Sequence, residues 1–562
     1  MYYHIIPIAK INPQKSTFIY HSAQELSIGD IVNINLGATK YLGLIYRQAY
    51  QQEIKFKIKD ITTPIKGLFL DQQQINLMEN VAEKLHLSLA TTLFILMPKL
   101  TIKKLLISTL YKTKKLDLIK RNYRQFYINY HFYEDKLKYY QKIIGNCSGQ
   151  SLIIVPDIIS QDNIYQYLKK GNAKLEIIKL SAQTKSSQQT EYWRDIHNGQ
   201  IKVVIGTRKS VFFPFNNLQN IIFDQAANNN HRQWDQNPRF DSSILVDSLA
   251  ATHGSNLYFV DCFFNLSCYQ QILQQKKYYQ LQSANQRGNI EVHSGDELNK
   301  ISDLLQRLNK KDKIIVLFNQ LNKRQLFCTK CQISLDNETC HYCNSTSLQR
   351  VNSIYELWQQ AVKDKYDGLD AYLFSANNKS INTNKSIIFA TVAILPYLPQ
   401  MQWTRLIIAD FTSWQNHLDL DRQFYLRYIL NYLLAFKKPL DIFTSEKGNP
   451  LLLVNDQQKF IKQQLLLAKN NNLFPYHNII KIIIKAKTKI TLLKKTDLLI
   501  KFLSSYILVD ELYKTTISHD HNQLYHSLIL TDYHNHDINK FIQCKISGVY
   551  WELNPYQVIS NK

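Results

Sequence analysis

From about residue 130 to 285, short apolar runs alternate with helix-length amphipathic stretches, and this alternation leaves the chain few folds to choose from. The runs at 151–155, 175–180, 202–205, 220–223 and 256–260 are too short for helices and too continuously apolar for half-exposed strands. Strands buried on both faces and separated by helices build a parallel sheet covered on either side. A second stretch of the same kind spans about 286 to 450, with candidate strands at 313–318, 371–374, 386–390 and 405–409. The expected fold is therefore α/β, with two parallel-sheet lobes.

At 562 residues the chain exceeds what one core supports, so further domains are expected around the lobes. Residues 1–100 read as a β-rich module, with β-prone runs at 18–20, 31–36 and 41–47 and turns at Gly29-Asp30 and Gly37. A helix is expected over 77–89, from the spacing of Leu77, Met78, Val81, Leu85 and Leu89. Residues 101–124 read as a basic helical stretch, either lying along a phosphate backbone or serving as a solvated linker. Residues 451–562 form a C-terminal α/β module.

Lys and Arg exceed Asp and Glu by 24, which suits a polyanionic partner through Coulomb attraction and counterion release. A chain rich in Lys, Asn, Ile and Tyr also carries many merely solvated lysines. The start, Met1-Tyr2-Tyr3-His4, has no signal-peptide pattern, and no run of eighteen apolar residues occurs. A cytoplasmic location is expected, with cysteines reduced or metal-bound.

Four of the eight cysteines fall in one cluster, as Cys328-x-x-Cys331 and Cys340-x-x-Cys343. Two such knuckles place four thiolates tetrahedrally about one Zn²⁺, and a site closed by four protein ligands is structural. The alternative is a reduced loop of unligated thiols. Cys147, Cys262, Cys268 and Cys544 are scattered and read as core or surface residues.

The string from Val203 through Gly206-Thr207-Arg208-Lys209-Ser210 to Pro214-Phe215, followed by Ile221-Ile222-Phe223-Asp224, closely resembles the primosomal protein N′ (PriA) family of superfamily 2 helicases. So do Leu152 to Ile158 upstream and Asn237-Pro238-Arg239-Phe240 downstream. The likeness extends to residues 16–44, to the cysteine pairs with Asn344-Ser345-Thr346, to Phe474-Pro475-Tyr476 and to Asn554-Pro555. It implies an N-terminal domain holding a DNA 3′ end (1–100), a winged-helix remnant or linker (101–130), helicase lobes of the RecA type (131–285 and 286–450), a zinc insertion (326–346) and a C-terminal domain (451–562). Phe18, Gly37 and Lys57 fall where the family's pocket stacks on and contacts the terminal nucleotide, although strand and turn packing explains Phe18 and Gly37 equally well. The family's acidic residue after that Phe is Ile19 here. Implied partners are forked or single-stranded DNA, single-strand binding protein, and the replicative helicase or its loader.

The motor motifs depart from the family pattern. Where a glycine-rich phosphate loop is expected, the chain reads Tyr130-His131-Phe132-Tyr133-Glu134-Asp135-Lys136-Leu137, without glycine. Lys136 takes the place of the phosphate lysine, but Leu137 offers no Mg²⁺ ligand, and Glu134 and Asp135 repel phosphate. The family's Asp-Glu-Glu-His reads Asp224-Gln225-Ala226-Ala227, leaving Asp224 without a general base beside it. The last arginine of the chain is Arg427, short of the arginine-finger segment. Only 15 glycines occur, against a usual share of about 7%. These residues argue against ATP and Mg²⁺ as ligands and for a DNA-binding restart factor that does not hydrolyse ATP. The competing reading is an active ATP-dependent 3′–5′ helicase; a zinc hydrolase lacks an open metal site.

Overall fold

The computed structural model describes residues 1–9, 16–53, 58–61, 63–100, 122–233, 239–275, 277–281, 288–294, 297–307, 312–319, 325–328, 333–335, 343, 345–351, 354–365, 371–374, 386–415, 420–444, 457–504, 512–514, 518–520, 523–531 and 548–554. The chain forms two compact units. One comprises Met1–Asn129, Lys136–Leu281 and Ile461–Lys562; the other comprises Tyr130–Asp135 and Gln282–Phe460.

The first unit opens with the β-rich module: β1 (Tyr2–Pro7), β2 (Phe18–His21), β3 (Asp30–Leu36), β4 (Thr39–Gln48), β5 (Lys59–Asp60) and β6 (Thr63–Phe69), in sheet order β5-β2-β1-β4-β3-β6. Helices α1 (Gln72–Lys84) and α2 (Leu89–Leu96) follow. The expected single helix over 77–89 is corrected. A capping box at Asp71 and Gln74 starts α1 earlier, and His86, in the left-handed region at φ 51°, breaks the chain before Ser88 caps α2.

The parallel sheet comes next, from β7 (Arg124–Tyr130), α3 (Tyr133–Gly145), β8 (Gln150–Ile154), α4 (Ile158–Gly171), β9 (Ile177–Leu180), α5 (Ser186–His197), β10 (Val203–Gly206), β11 (Leu218–Asp224), α6 (Ser242–His253), β12 (Asn256–Asp261), α7 (Leu266–Gln275) and β13 (Tyr278–Leu281). Strand order is β13-β7-β12-β11-β8-β10-β9, with β7 through β9 pairing in parallel. The runs expected at 151–155, 202–205 and 220–223 are its buried central strands. One reading needs correction. Residues 101–121 lie outside the described residues, but Arg124 opens a strand, so the helical reading fails at its end. Across 130–137, where the family's loop would fall, β7 ends at Tyr130 and α3 begins at Tyr133. The β-rich module shares one apolar core with this sheet, and Gln74 Nε2 donates to the buried Phe212 carbonyl at 2.8 Å.

The second unit carries another parallel sheet, ordered β14 (Ile290–Ser294), β22 (Leu440–Thr444), β21 (Arg405–Ile408), β15 (Ile314–Leu317), β20 (Ile387–Ala390), β19 (Ala371–Phe374). Its helices include α8 (Glu297–Arg307), α9 (Ile354–Lys365) and α10 (Leu420–Leu434). A small antiparallel sheet, β17 (Ile333–Leu335), β16 (Gln325–Cys328), β18 (Leu348–Val351), sits between β15 and α9 in the chain. The C-terminal region of the first unit pairs β23 (Ile479–Ala486) with β24 (Gln523–Thr531) and β25 (Val549–Leu553), beneath α12 (Lys489–Leu503), and α11 (Gln457–Asn470) precedes them. Among the described residues, no helix is long and apolar enough to cross a membrane.

Candidate functional site

All strands β7 to β12 run the same way, so their carboxyl ends collect residues that are distant in sequence on one edge of the sheet, where α/β folds bind ligands. Asp224 ends β11, Asp261 ends β12, and Lys136 enters from the first turns of α3. Lys136 Nζ donates to Asp224 Oδ1 at 2.8 Å, and the Tyr140 hydroxyl donates to the same oxygen at 2.5 Å. All three side chains are 0% exposed. The pair is a buried ion pair with a satisfied acceptor.

The residues around Asp224 complete that packing. His231 Nε2 donates to the Asp224 backbone carbonyl at 2.8 Å, and burial holds its imidazole below the ordinary pKa, in the neutral form. Gln225, where the family has a carboxylate, is strained at φ 52°. Its amide nitrogen reaches Ser160 Oγ at 3.4 Å and its amide oxygen accepts from Asn228 at 2.9 Å. Asp261 accepts the backbone N–H groups of Ala227 and Cys262, each at 2.7 Å, which ties the 224–228 segment to the end of β12. Burial pushes the Asp261 carboxyl up to about 7. Only His131 and Phe132 separate β7 from α3. In the second unit, the Tyr133 N–H donates to the Ala435 carbonyl at 3.1 Å and its ring stacks on Phe436 at 5.2 Å. The Tyr133 amide is thus committed to a protein carbonyl.

Arg427 lies in α10 with its guanidinium carbon 3.4 Å from the centre of the Phe460 ring, and it bonds Gln423. Burial lowers it to about 10. Its position is inside the core of the second unit. Thr391 caps the following 3-10 turn, its hydroxyl accepting from Ala393 N–H at 3.5 Å. Glu291, His293 and Asp441 bring ligand atoms within 4.8 Å of one another. Arg405 already holds Asp441 at 2.7 Å and His293 holds it at 3.0 Å, so this is an ionic cluster tying three adjacent strands.

The candidate DNA residues fall in the β-rich module. Phe18 opens β2 opposite Ile5 and is half-buried against the small core that includes Ile5, Val32 and Ile34. Ile19 pairs with His4, whose Nε2 lies 2.5 Å from Glu53. Gly37 turns β3 into β4 at φ 65°, exposed and with open space where a Cβ would lie. Lys57 lies outside the described residues; Lys59 donates to the Gly37 carbonyl at 3.3 Å. Tyr20 OH bonds the Asn35 carbonyl at 3.0 Å, bringing β2 against the same turn. Sequence reasoning missed Lys59, which has no motif around it. It also missed a cationic group at the carboxyl end of β10: burial and then the charges of Lys99 and Arg208 push the Lys209 ammonium down. Gly206 permits that turn, because a Cβ there would lie 1.8 Å from Ser210 Oγ.

Of the cysteines, Cys328 ends β16, opposite both Ile333 and Leu348. Cys343 is exposed, and Cys331 and Cys340 lie outside the described residues.

Fold and site define a mixed α/β protein with parallel-sheet lobes and a β-rich N-terminal module. Residues 5–98 match the 3′ DNA-binding domain (3'BD) of PriA. The chain is 24% identical over 229 residues to the replication restart protein PriA of Bacillus subtilis, covering 34% of this chain and 28% of that protein. With PriA of Buchnera aphidicola it is 35% identical over 105 residues, covering 18% of this chain and 14% of the relative. The chain is thus similar to PriA proteins over its N-terminal domain and these shorter segments, and it matches well under two thirds of these relatives' lengths. The structure of RecG bound to a three-way DNA junction superposes with a TM-score of 0.36 at 11% identity, covering 75% of this chain and 47% of that one.

Proposed function

We propose that this chain is a DNA-binding factor of replication restart that engages forked or single-stranded DNA and does not turn over ATP. The N-terminal match to a 3′ DNA-binding domain carries the DNA reading, supported by the net charge of +24 and the Lys99, Arg208 and Lys209 group. The buried Lys136–Asp224–Tyr140 arrangement supports the loss of turnover. One structural Zn²⁺ on Cys328, Cys331, Cys340 and Cys343 would brace the small antiparallel sheet. Phe18, Gly37 and Lys57 would face the strand terminus, with Lys59 beside them, and Ile19 relaxes the demand for a free 3′ hydroxyl. Hand-over to single-strand binding protein and to the replicative helicase or its loader completes the role.

The test is fluorescence anisotropy of a forked, 3′-tailed DNA across a salt series. The proposal expects log affinity to fall linearly with log salt, with a slope of several units. Salt-insensitive or absent binding contradicts it.

A further inference from the structure

The first parallel sheet has a second cleft, at the amino ends of its strands and therefore opposite Asp224. It encloses about 690 Å³, and its walls come from the start of β7, one face of α3 and the starts of β11 and β12. Residues alternate along β7. Tyr123 and Gln125 reach Asp247 on one face of the sheet, which turns Arg124 and Phe126 to the other. There Phe126 stacks on Tyr258, centroids 5.0 Å apart and planes 16° from parallel. Tyr279 on the edge strand lies 6.1 Å from Phe126, and Tyr139 stands edge-on to Tyr258 at 6.4 Å. Of these rings, Tyr139 and Tyr258 line the cleft, and the row continues beside it through Phe126 to Tyr279, which is 51% exposed and opens to solvent.

Helix α3 presents Tyr139, Lys142 and Ile143 to the cleft, spaced i, i+3, i+4 on a single face, and Asn146 just past its end continues that face. Arg124 and Lys142 supply exposed cations. Carboxamides supply the remaining polar lining, and among the described residues the lining contains no Asp or Glu. In a chain with 44 acidic residues, a cleft with cations, amides, phenols and no carboxylate suits an anion that carries flat rings.

We propose that this cleft binds internal nucleotides of single-stranded DNA, with unpaired bases against the Phe126–Tyr258–Tyr279 row and backbone phosphates on Arg124 and Lys142. Stacking accepts any base, carboxamides offer both donors and acceptors to base edges, and the absence of carboxylates leaves phosphates unrepelled. Duplex DNA hides its ring faces and does not fit this chemistry. The inference rests on the DNA-binding reading and extends it from a strand terminus to a continuous strand.

The experiment uses the full chain and two probes: a circular single-stranded oligothymidylate, which has no 3′ end, and a fork with a free 3′ end. In the Arg124→Glu/Lys142→Glu variant, affinity for the circle is expected to fall on the order of tenfold or more. The plot of log affinity against log salt should become shallower by about 1.4, two single-strand phosphate contacts. The Tyr279→Ala variant should lose about tenfold with the salt slope unchanged, the signature of a stacking contact. The same charge reversal at Lys494 and Lys501, exposed on α12, should leave the circle bound at least several-fold better than the cleft variant does. Photocrosslinking of a 5-iodouracil circle to the unaltered protein should map to Phe126, Tyr258 or Tyr279. Unchanged circle affinity in the cleft variants, equal loss in the α12 control, or crosslinks confined elsewhere overturns the inference. A protein that binds the fork but not the circle also overturns it while leaving the DNA-binding reading intact; one that binds neither probe overturns both.

Discussion

Lys136 Nζ lies 2.8 Å from Asp224 Oδ1, and neither side chain has any exposure to solvent. The two residues are 88 apart in sequence and meet because α3 begins and β11 ends on the same edge of a parallel sheet. The Lys136 ammonium is neutralised within the core, and its partner carboxylate is further satisfied by Tyr140.

The pair should respond asymmetrically to mutation. Asp224→Ala strands a buried ammonium and should cost about 3–5 kcal/mol in urea unfolding. The double change Lys136→Met/Asp224→Leu removes both charges at similar volume and should be near neutral. A double variant as unstable as the single one would contradict the ion-pair account.

Tyr140→Phe deletes one donor to a buried carboxylate and nothing else. The expected loss is about 1.5–3 kcal/mol, the range for hydrogen bonds to charged groups. No change in urea midpoint would show that the contact carries no stability.

Much of this architecture was legible in the sequence, and the failures have physical causes. β10 and β11 announced themselves because strands buried on both faces must be apolar throughout. β7 did not: Arg124, Gln125 and Asn129 interrupt it, Arg124 facing a cleft, Gln125 joining an Asp247 network, and Asn129 buried with its amide donating to the Asp261 and Cys262 carbonyls. The helix boundary near His86 was missed because apolar spacing runs on through a residue whose left-handed backbone ends the helix. The resemblance singled out Lys136 and Asp224, but their burial was invisible, since exposure depends on what α3 packs against. The Lys59–Gly37 contact joins elements with no local signal at all.

Asp261 should make stability pH-dependent. Burial raises its carboxyl to about 7 from an ordinary value of 3.8, so the folded chain holds a proton that the unfolded chain releases. Its contribution is therefore fully present below about pH 4 and is lost as pH rises toward 7, on the order of a few kcal/mol. Asp261→Asn removes this term, and the difference in unfolding free energy between the two proteins should shift across that window in favour of the variant. A pH-independent difference would refute the assignment.

Elemental analysis should find about one zinc per chain. Cys328→Ser should lower it and loosen the small antiparallel sheet, read by proteolysis near residues 325–351. Metal-free protein with unchanged proteolysis would remove the zinc proposal.

The most direct test of the buried ion pair as a vestige of the motor is an ATP hydrolysis assay with saturating forked DNA. Turnover at background, unaltered by Lys136→Ala, is the result expected here. Steady hydrolysis that Lys136→Ala abolishes would contradict it, by showing that the ammonium leaves Asp224 to meet phosphate.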